Sequence, residues 1–201
     1  MRIGLFGGTF DPIHLGHLHL ATCIAEKHRL DRVVFCPAHL SPFKVEAPPL
    51  ASWEDRKAMV RLAVGENPLF AVWEKMPMRE GLSYTIDLIK DFIACHGEVD
   101  ELFLVLGRDA IDHFDLWKDV QEIVRLAPPL TGVWKEGLPE VLLRLPAACA
   151  KVVADGITQV PSFDVSSTEV RQRLCKKKSC VSWVPSIVLD YIHEHHLYSS
   201  I

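Results

Sequence analysis

The chain has 201 residues, of which 49% are apolar, with 24% charged and a formal net charge of −4. That apolar share supports a buried core and excludes a disordered chain. The acidic balance excludes the broad basic surface of a general nucleic-acid binder, so a phosphate ligand must be held by a local cluster of donors.

Short apolar runs alternate with longer segments of helical period. Ile3 to Phe6 reads as a strand, and Leu15 to about Lys27 as the helix behind it. Arg32 to Cys36 is a second strand, followed by a proline-rich loop from Pro37 to Pro49. Ser52 caps the next helix, with Asp55 at the capping-box position and Met59, Leu62 and Ala63 on one face. Phe70 to Trp73 reads as strand.

Ser83 to Cys95 has the look of another capped helix, placing Ile86, Ile89 and Phe92 or Ile93 on one side and ending at Gly97. Leu102 to Leu106 is an unbroken apolar run ending in glycine, the mark of a strand buried on both faces. Leu130–Trp134 and Lys151–Ala154 are weaker strand candidates. The chain closes with helices near Ser167–Leu174 and Ser186–His195; Val184, Ile187, Val188, Tyr191 and Ile192 form the stripe of the last. The Lys176–Lys178 run reads as a solvated turn.

This alternation, with no internal repeat and no break in composition, predicts an α/β fold: one Rossmann-like, doubly wound domain over residues 1–201. Its sheet should be mostly parallel, with a C-terminal helical part over about 166–201 packed on it. The six cysteines form no CxxC pair, so reduced thiols are expected. The N-terminus is too short in apolar residues for a signal peptide, and no run reaches the roughly 18 apolar residues of a membrane span. A soluble cytoplasmic protein with no membrane or nucleic-acid partner is expected; a homo-oligomer is left open.

The most informative stretch is Gly7-Gly8-Thr9-Phe10-Asp11-Pro12-Ile13-His14-Leu15-Gly16-His17. It leaves a strand and opens a helix, where unpaired N–H groups and the helix dipole favour anions. Gly7 and Gly8 allow close backbone approach to a phosphate, although neither GxxxxGK[ST] nor GxGxxG is present. His14 and His17 are three residues apart in the first helical turn, a spacing that turns both imidazoles to one side. Gly16 between them leaves room for a base or a backbone. His14, His17 and His19 are clustered, but no cysteine or carboxylate at ligand spacing completes a tetrahedral zinc site.

GGTFDPIHLGH resembles the signature of the HxGH nucleotidyltransferases, and especially of the bacterial nicotinate-mononucleotide adenylyltransferase family. Later segments resemble the same family in the same order: Pro42-Phe43-Lys44, the segment from Arg79 through Tyr84 and Thr85 to Asp87, Gly107-Arg108-Asp109 with Trp117, Val165 to Arg171, and the ending from Trp183 to Tyr198. The resemblance implies transfer of AMP from ATP to nicotinate mononucleotide, giving deamido-NAD and pyrophosphate, with Mg2+ held mainly by the ATP phosphates.

It also implies a catalytic set of His14, His17 and Lys44. ATP would be held by Gly7, Gly8, Thr9, Phe10, Gly16, Gly107, Asp109, Ser166, Ser167, Thr168 and Arg171 together with the histidines. Tyr84, Thr85, Ile86, Trp117, Lys118 and Lys44 would hold the mononucleotide. Two positions depart from the family: Phe43 stands where a histidine is usual, and His39 where an asparagine is common. Leu130–Glu136 also departs from the family, with Lys135 its one basic residue where more are often found after that strand.

The residues themselves fit these assignments, each beside a plainer alternative. Ser166–Thr168 precede a helix and can hold phosphate or only cap; Asp109 can accept from ribose hydroxyls or only cap; Trp117 can stack on a pyridine ring or only fill the core. Arg171, one turn in, can reach phosphate oxygens with its planar fork. Competing functions are another HxGH enzyme such as a phosphopantetheine adenylyltransferase, a non-catalytic nucleotide sensor, and a histidine-metal hydrolase.

Overall fold

A computed structural model describes residues 1–75, 81–97, 101–134 and 139–199. Arg79 and Glu136, both within segments singled out above, lie outside the described residues. Six strands form one sheet: β1 (Arg2–Gly8), β2 (Arg32–Pro37), β3 (Phe70–Val72), β4 (Glu101–Leu106), β5 (Pro129–Val133) and β6 (Ile157–Gln159). Their order is β3-β2-β1-β4-β5-β6, and every pairing is parallel.

The strands are apolar on both faces because both are covered. Ile3 and Leu5 of β1, Val34 and Cys36 of β2, and Leu102, Leu104 and Leu106 of β4 join one apolar cluster. Phe6, Val33, Phe35 and Val105, one residue out of step, join the other. The first cluster is completed by α3 (Thr85–His96), α4 (Arg108–Ile111), α5 (Val120–Leu126) and α6 (Ala147–Asp155). The second takes its helical residues from α1 (Leu15–His28), α2 (Trp53–Val64), α7 (Ser167–Cys175) and α8 (Ser186–Glu194).

Connections leave β1 and β2 over one face and return from β3 to β4 over the other, so the winding reverses between β1 and β4. In such sheets a crevice opens beyond the carboxyl ends of the two central strands, where ligands bind. Gly7 and Gly8 end β1 there, and Gly107 follows β4.

The predicted strand at Lys151–Ala154 is a correction: those residues lie inside α6, and the sixth strand comes after it, at Ile157–Gln159. Val152 and Val153 favour strand locally, but Cys149 and Val153 are one helical turn apart and both buried, and that burial decides the conformation. Two further details differ. Ile187 is half-exposed rather than part of the α8 stripe. Ser83 does not cap α3, whose N-cap is Tyr84; its hydroxyl instead accepts the His39 N–H at 3.0 Å. Ser52 caps α2 as expected, accepting the Asp55 N–H at 3.1 Å, while the Asp55 carboxylate accepts from the Ser52 hydroxyl at 2.6 Å rather than from its backbone N–H. Lys176 to Lys178 form the exposed turn foreseen for them. Among the described residues no helix is long and apolar enough to cross a membrane.

Candidate active site

The turn between β1 and α1 is shaped by Phe10, which takes a left-handed conformation (φ 49°). This swings its ring back over Gly8, where an added Cβ would lie 2.7 Å from the ring. Gly8 is therefore required by Phe10, rather than by a phosphate alone as the sequence suggested. Gly16 has a similar role: a Cβ there would meet Val165 at 2.8 Å and the His14 ring at 3.1 Å. Gly7 and Gly107 differ, since a Cβ on either would meet no protein atom closer than 3.7 Å; they stand at the carboxyl ends of β1 and β4.

His14 is the N-cap of α1 and His17 its third residue. Their rings stack with centroids 3.7 Å apart and planes 23° from parallel. The His14 backbone N–H donates to Nδ1 of His17 at 3.2 Å. With Nδ1 accepting, the proton of a neutral His17 ring sits on Nε2, which is left as a donor. His14 Nδ1 is buried and has no hydrogen-bond partner among the described residues.

Burial lowers the His14 pKa from 6.5 to about 4. His17 is half-buried, its ring beside His14 and edge-on to Phe10, and burial again pulls its pKa well below 6.5, helped by repulsion from a protonated His14 and from Lys44. Both rings are thus neutral at pH 7 in the ligand-free protein and act as oriented dipoles. His19 is not part of the set: its Nε2 faces the Pro161 carbonyl at 3.0 Å and its ring lies against Phe163. Among the described residues no group of three or more His, Cys, Asp and Glu side chains is placed to hold a metal.

A buried charged network sets the turn from beneath. Asp11 accepts the N–H groups of Leu50 (2.9 Å) and Ala51 (3.1 Å) and the Tyr198 hydroxyl (2.8 Å). Arg56, 1% exposed, donates to the carbonyls of Thr9, Ala38, His39 and Ala51, tying three loops together. Arg171 donates to the Asp11 carbonyl at 2.7 Å and to the Thr168 hydroxyl at 3.3 Å. Ser167 donates to the Pro12 carbonyl at 2.9 Å, so α7 is fastened directly to the glycine-histidine turn. Ser166 is a cap, accepting the Glu169 N–H at 3.1 Å, while the Ser167 and Thr168 N–H groups have no acceptor among the described residues.

The remaining predicted residues lie on α3, α4, the segment after it and the 3-10 turn behind β2. Asp109 is exposed in the first turn of α4 and does not cap, Gly107 being the N-cap. The Thr85 and Ile86 N–H groups open α3 without an acceptor among the described residues. Lys118 Nζ lies 4.7 Å over the Tyr84 ring and 3.6 Å from Asp87. Trp117 is half-buried, its ring edge-on to Phe114 at 5.2 Å. Lys44 ends a 3-10 turn, Pro42–Lys44. Partial burial, then repulsion from Arg171 and Arg56, lowers its pKa against the pull of Asp11, though solvent screens much of this at an exposed side chain.

A family profile described as cytidylyltransferase-like matches residues 5–173. The chain belongs to the cytidylyltransferase-like family. A Thermus thermophilus protein named a probable nicotinate-nucleotide adenylyltransferase is 41% identical over 198 residues, covering 98% of this chain and 100% of its own. A Neisseria meningitidis protein of the same name is 38% identical over 201 residues, covering 98% of each chain. The structure of a Plasmodium falciparum nicotinic acid mononucleotide adenylyltransferase complexed with NaAD superposes with a TM-score of 0.74 at 18% identity, covering 100% of this chain and 98% of that one, which shows the shared fold.

Within this cytidylyltransferase-like site, sequence reasoning missed Arg56, Tyr198 and the carboxylate of Asp11. A signal for Arg56 was present: it falls at helical spacing with Trp53, Met59 and Val60 on the buried stripe of α2, where a lone charge is rarely placed without partners. Nothing local marks Tyr198, whose partner is 187 positions away.

Proposed function

We propose that the chain is an adenylyltransferase of NAD biosynthesis, transferring AMP from ATP to nicotinate mononucleotide and giving deamido-NAD and pyrophosphate. The stacked imidazole pair at the start of α1 carries this assignment, because it sets two neutral rings just beyond the carboxyl end of β1, beside the switch between β1 and β4 where such sheets bind nucleotides. The acceptor follows from the relatives, whose name applies to proteins matching this chain over 98% of its length.

The 5′-phosphate of the mononucleotide is already an anionic nucleophile at neutral pH, so its in-line attack on the α-phosphorus needs no side-chain base. The protein's work is alignment, which supplies about 7–11 kcal/mol in well-oriented systems, and stabilisation of developing charge. His17 donates from Nε2 to the α-phosphate, and His14 binds the neighbouring phosphates with the Thr9 and Phe10 N–H groups. Gly7, Gly8, Gly16 and Gly107 border ATP, Asp109 accepts from its ribose, and Ser166, Ser167, Thr168 and Arg171 flank its phosphates and adenine. On the acceptor side Lys44 meets the mononucleotide phosphate, Trp117 stacks on the pyridine ring, and Tyr84, Lys118 and the Thr85 and Ile86 N–H groups receive its carboxylate. Magnesium would be held by phosphate oxygens and water, the described residues offering no carboxylate cage, and would supply charge neutralisation. Residues 1–201 would work as a single domain, with α7 and Tyr198 fastened to the turn they help to build.

Pyrophosphate release from ATP, with nicotinate mononucleotide, its amide and phosphopantetheine offered as separate acceptors, tests the assignment. Release with nicotinate mononucleotide is the result foreseen. Release with phosphopantetheine alone, or with none of the three, contradicts it.

A further inference from the structure

The 3-10 turn after β2 presents Phe43, 56% exposed, beside Lys44. More than half of Phe43 faces solvent, so its ring is open to contact with a ligand. The turn is firmly built: the Ser41 hydroxyl accepts the Phe43 N–H at 3.4 Å, and the Ser41 carbonyl accepts the Lys44 N–H at 2.9 Å. The Phe43 ring centroid is 6.5 Å from that of Trp117, with the planes tilted by 35°. Trp117 is braced by the fully buried Phe114, so Phe43 is the free side of the pair.

Carbon atoms in contact are roughly 3.5–4 Å apart, so a planar ring held face-on between two others needs centroids about 7–8 Å apart. The observed 6.5 Å separation falls short of that by only about an ångström. Donors stand near the same gap: Lys118 lies over Tyr84, and Tyr84 precedes the free Thr85 and Ile86 N–H groups at the start of α3.

We propose that Phe43 is the second wall of an aromatic clamp, closing on the pyridine ring of the acceptor from the face opposite Trp117. The proposal rests on the nicotinate-mononucleotide reading given above and names the residue that restricts the acceptor to a planar aromatic base. Closure also carries Lys44, the next residue on the same turn, toward the acceptor phosphate.

The test compares full-length Phe43→Ala, Phe43→Leu and Phe43→Tyr with the unmodified chain. Pyrophosphate release is measured against both substrates, with ribose 5-phosphate, which lacks the ring, as a competing ligand. Stacked pairs are worth enough to raise the KM for nicotinate mononucleotide roughly fivefold to tenfold in Phe43→Ala. Leu should behave like Ala, and Tyr should return KM to within about twofold. The KM for ATP and the inhibition by ribose 5-phosphate should stay within about twofold, because neither ligand offers a ring to this gap. An unchanged acceptor KM in Phe43→Ala, rescue by Leu, or a parallel rise in the ATP KM each overturns the clamp while leaving the reaction intact. Absence of pyrophosphate release by the unmodified chain overturns the functional reading itself, and the clamp with it.

Discussion

Acid should destabilise the ligand-free protein through His14. The ring is 6% exposed, and burial holds its pKa at about 4 against 6.5 for a free histidine. Between those two values the unfolded chain binds a proton on this side chain that the native chain refuses. Stability from this group is therefore complete above about pH 6.5, declines as pH falls, and is gone below about pH 4. The shift from 6.5 to about 4, at about 1.4 kcal/mol per pH unit, corresponds to about 3 kcal/mol. His17 and His28, both lowered mainly by burial, act in the same direction, and carboxylates add their own acid sensitivity. Urea unfolding of His14→Gln beside the unmodified chain removes those shared contributions. Between about pH 7 and pH 4.5 the unmodified chain should lose roughly 2–3 kcal/mol more than the variant. Equal losses, or an NMR titration placing the His14 ring near 6.5, would refute the claim that the pair is buried and neutral.

Three substitutions extend the account. His17→Ala removes the donor aimed at the α-phosphate and should lower kcat about a hundredfold or more, with a native circular dichroism spectrum; near-normal turnover would contradict the proposed role. Arg56→Met leaves four carbonyls and a buried carboxylate short of their cation, so urea unfolding should show a loss of about 3–5 kcal/mol. A loss under about 1 kcal/mol would mean that water replaces the guanidinium. Gly16→Ala pushes a methyl group against Val165 and the His14 ring, and should cost about 1–3 kcal/mol in stability while also lowering turnover. Full activity with unchanged stability would show that the His14 ring has room to move.

The fold was legible where burial on both sides of the sheet writes continuous apolar runs, as in Leu102–Leu106, and where helices carry a clear stripe, as in Ile86, Ile89 and Phe92. It was less legible toward the sheet's edge. There β6 has three residues, too few to show a period, and the preceding valines drew the strand assignment into α6. The short helices α4 and α5 were passed over because four and seven residues complete little more than one or two turns. In the site, the spacing of His14 and His17 announced a shared direction, and the structure brings the rings into contact. What spacing could not convey was why the glycines are there: Gly8 makes way for Phe10, and Gly16 for Val165 and His14. Contacts such as Asp11 with Tyr198 join distant parts of the chain and leave no local trace.

The most direct measurement is a crystal structure with a non-hydrolysable ATP analogue and nicotinate mononucleotide bound. The account predicts Nε2 of His17 within about 3 Å of an α-phosphate oxygen, with the His14 ring turned toward the adjoining phosphates. A triphosphate bound elsewhere, with both imidazoles directed away from it, would contradict the central claim.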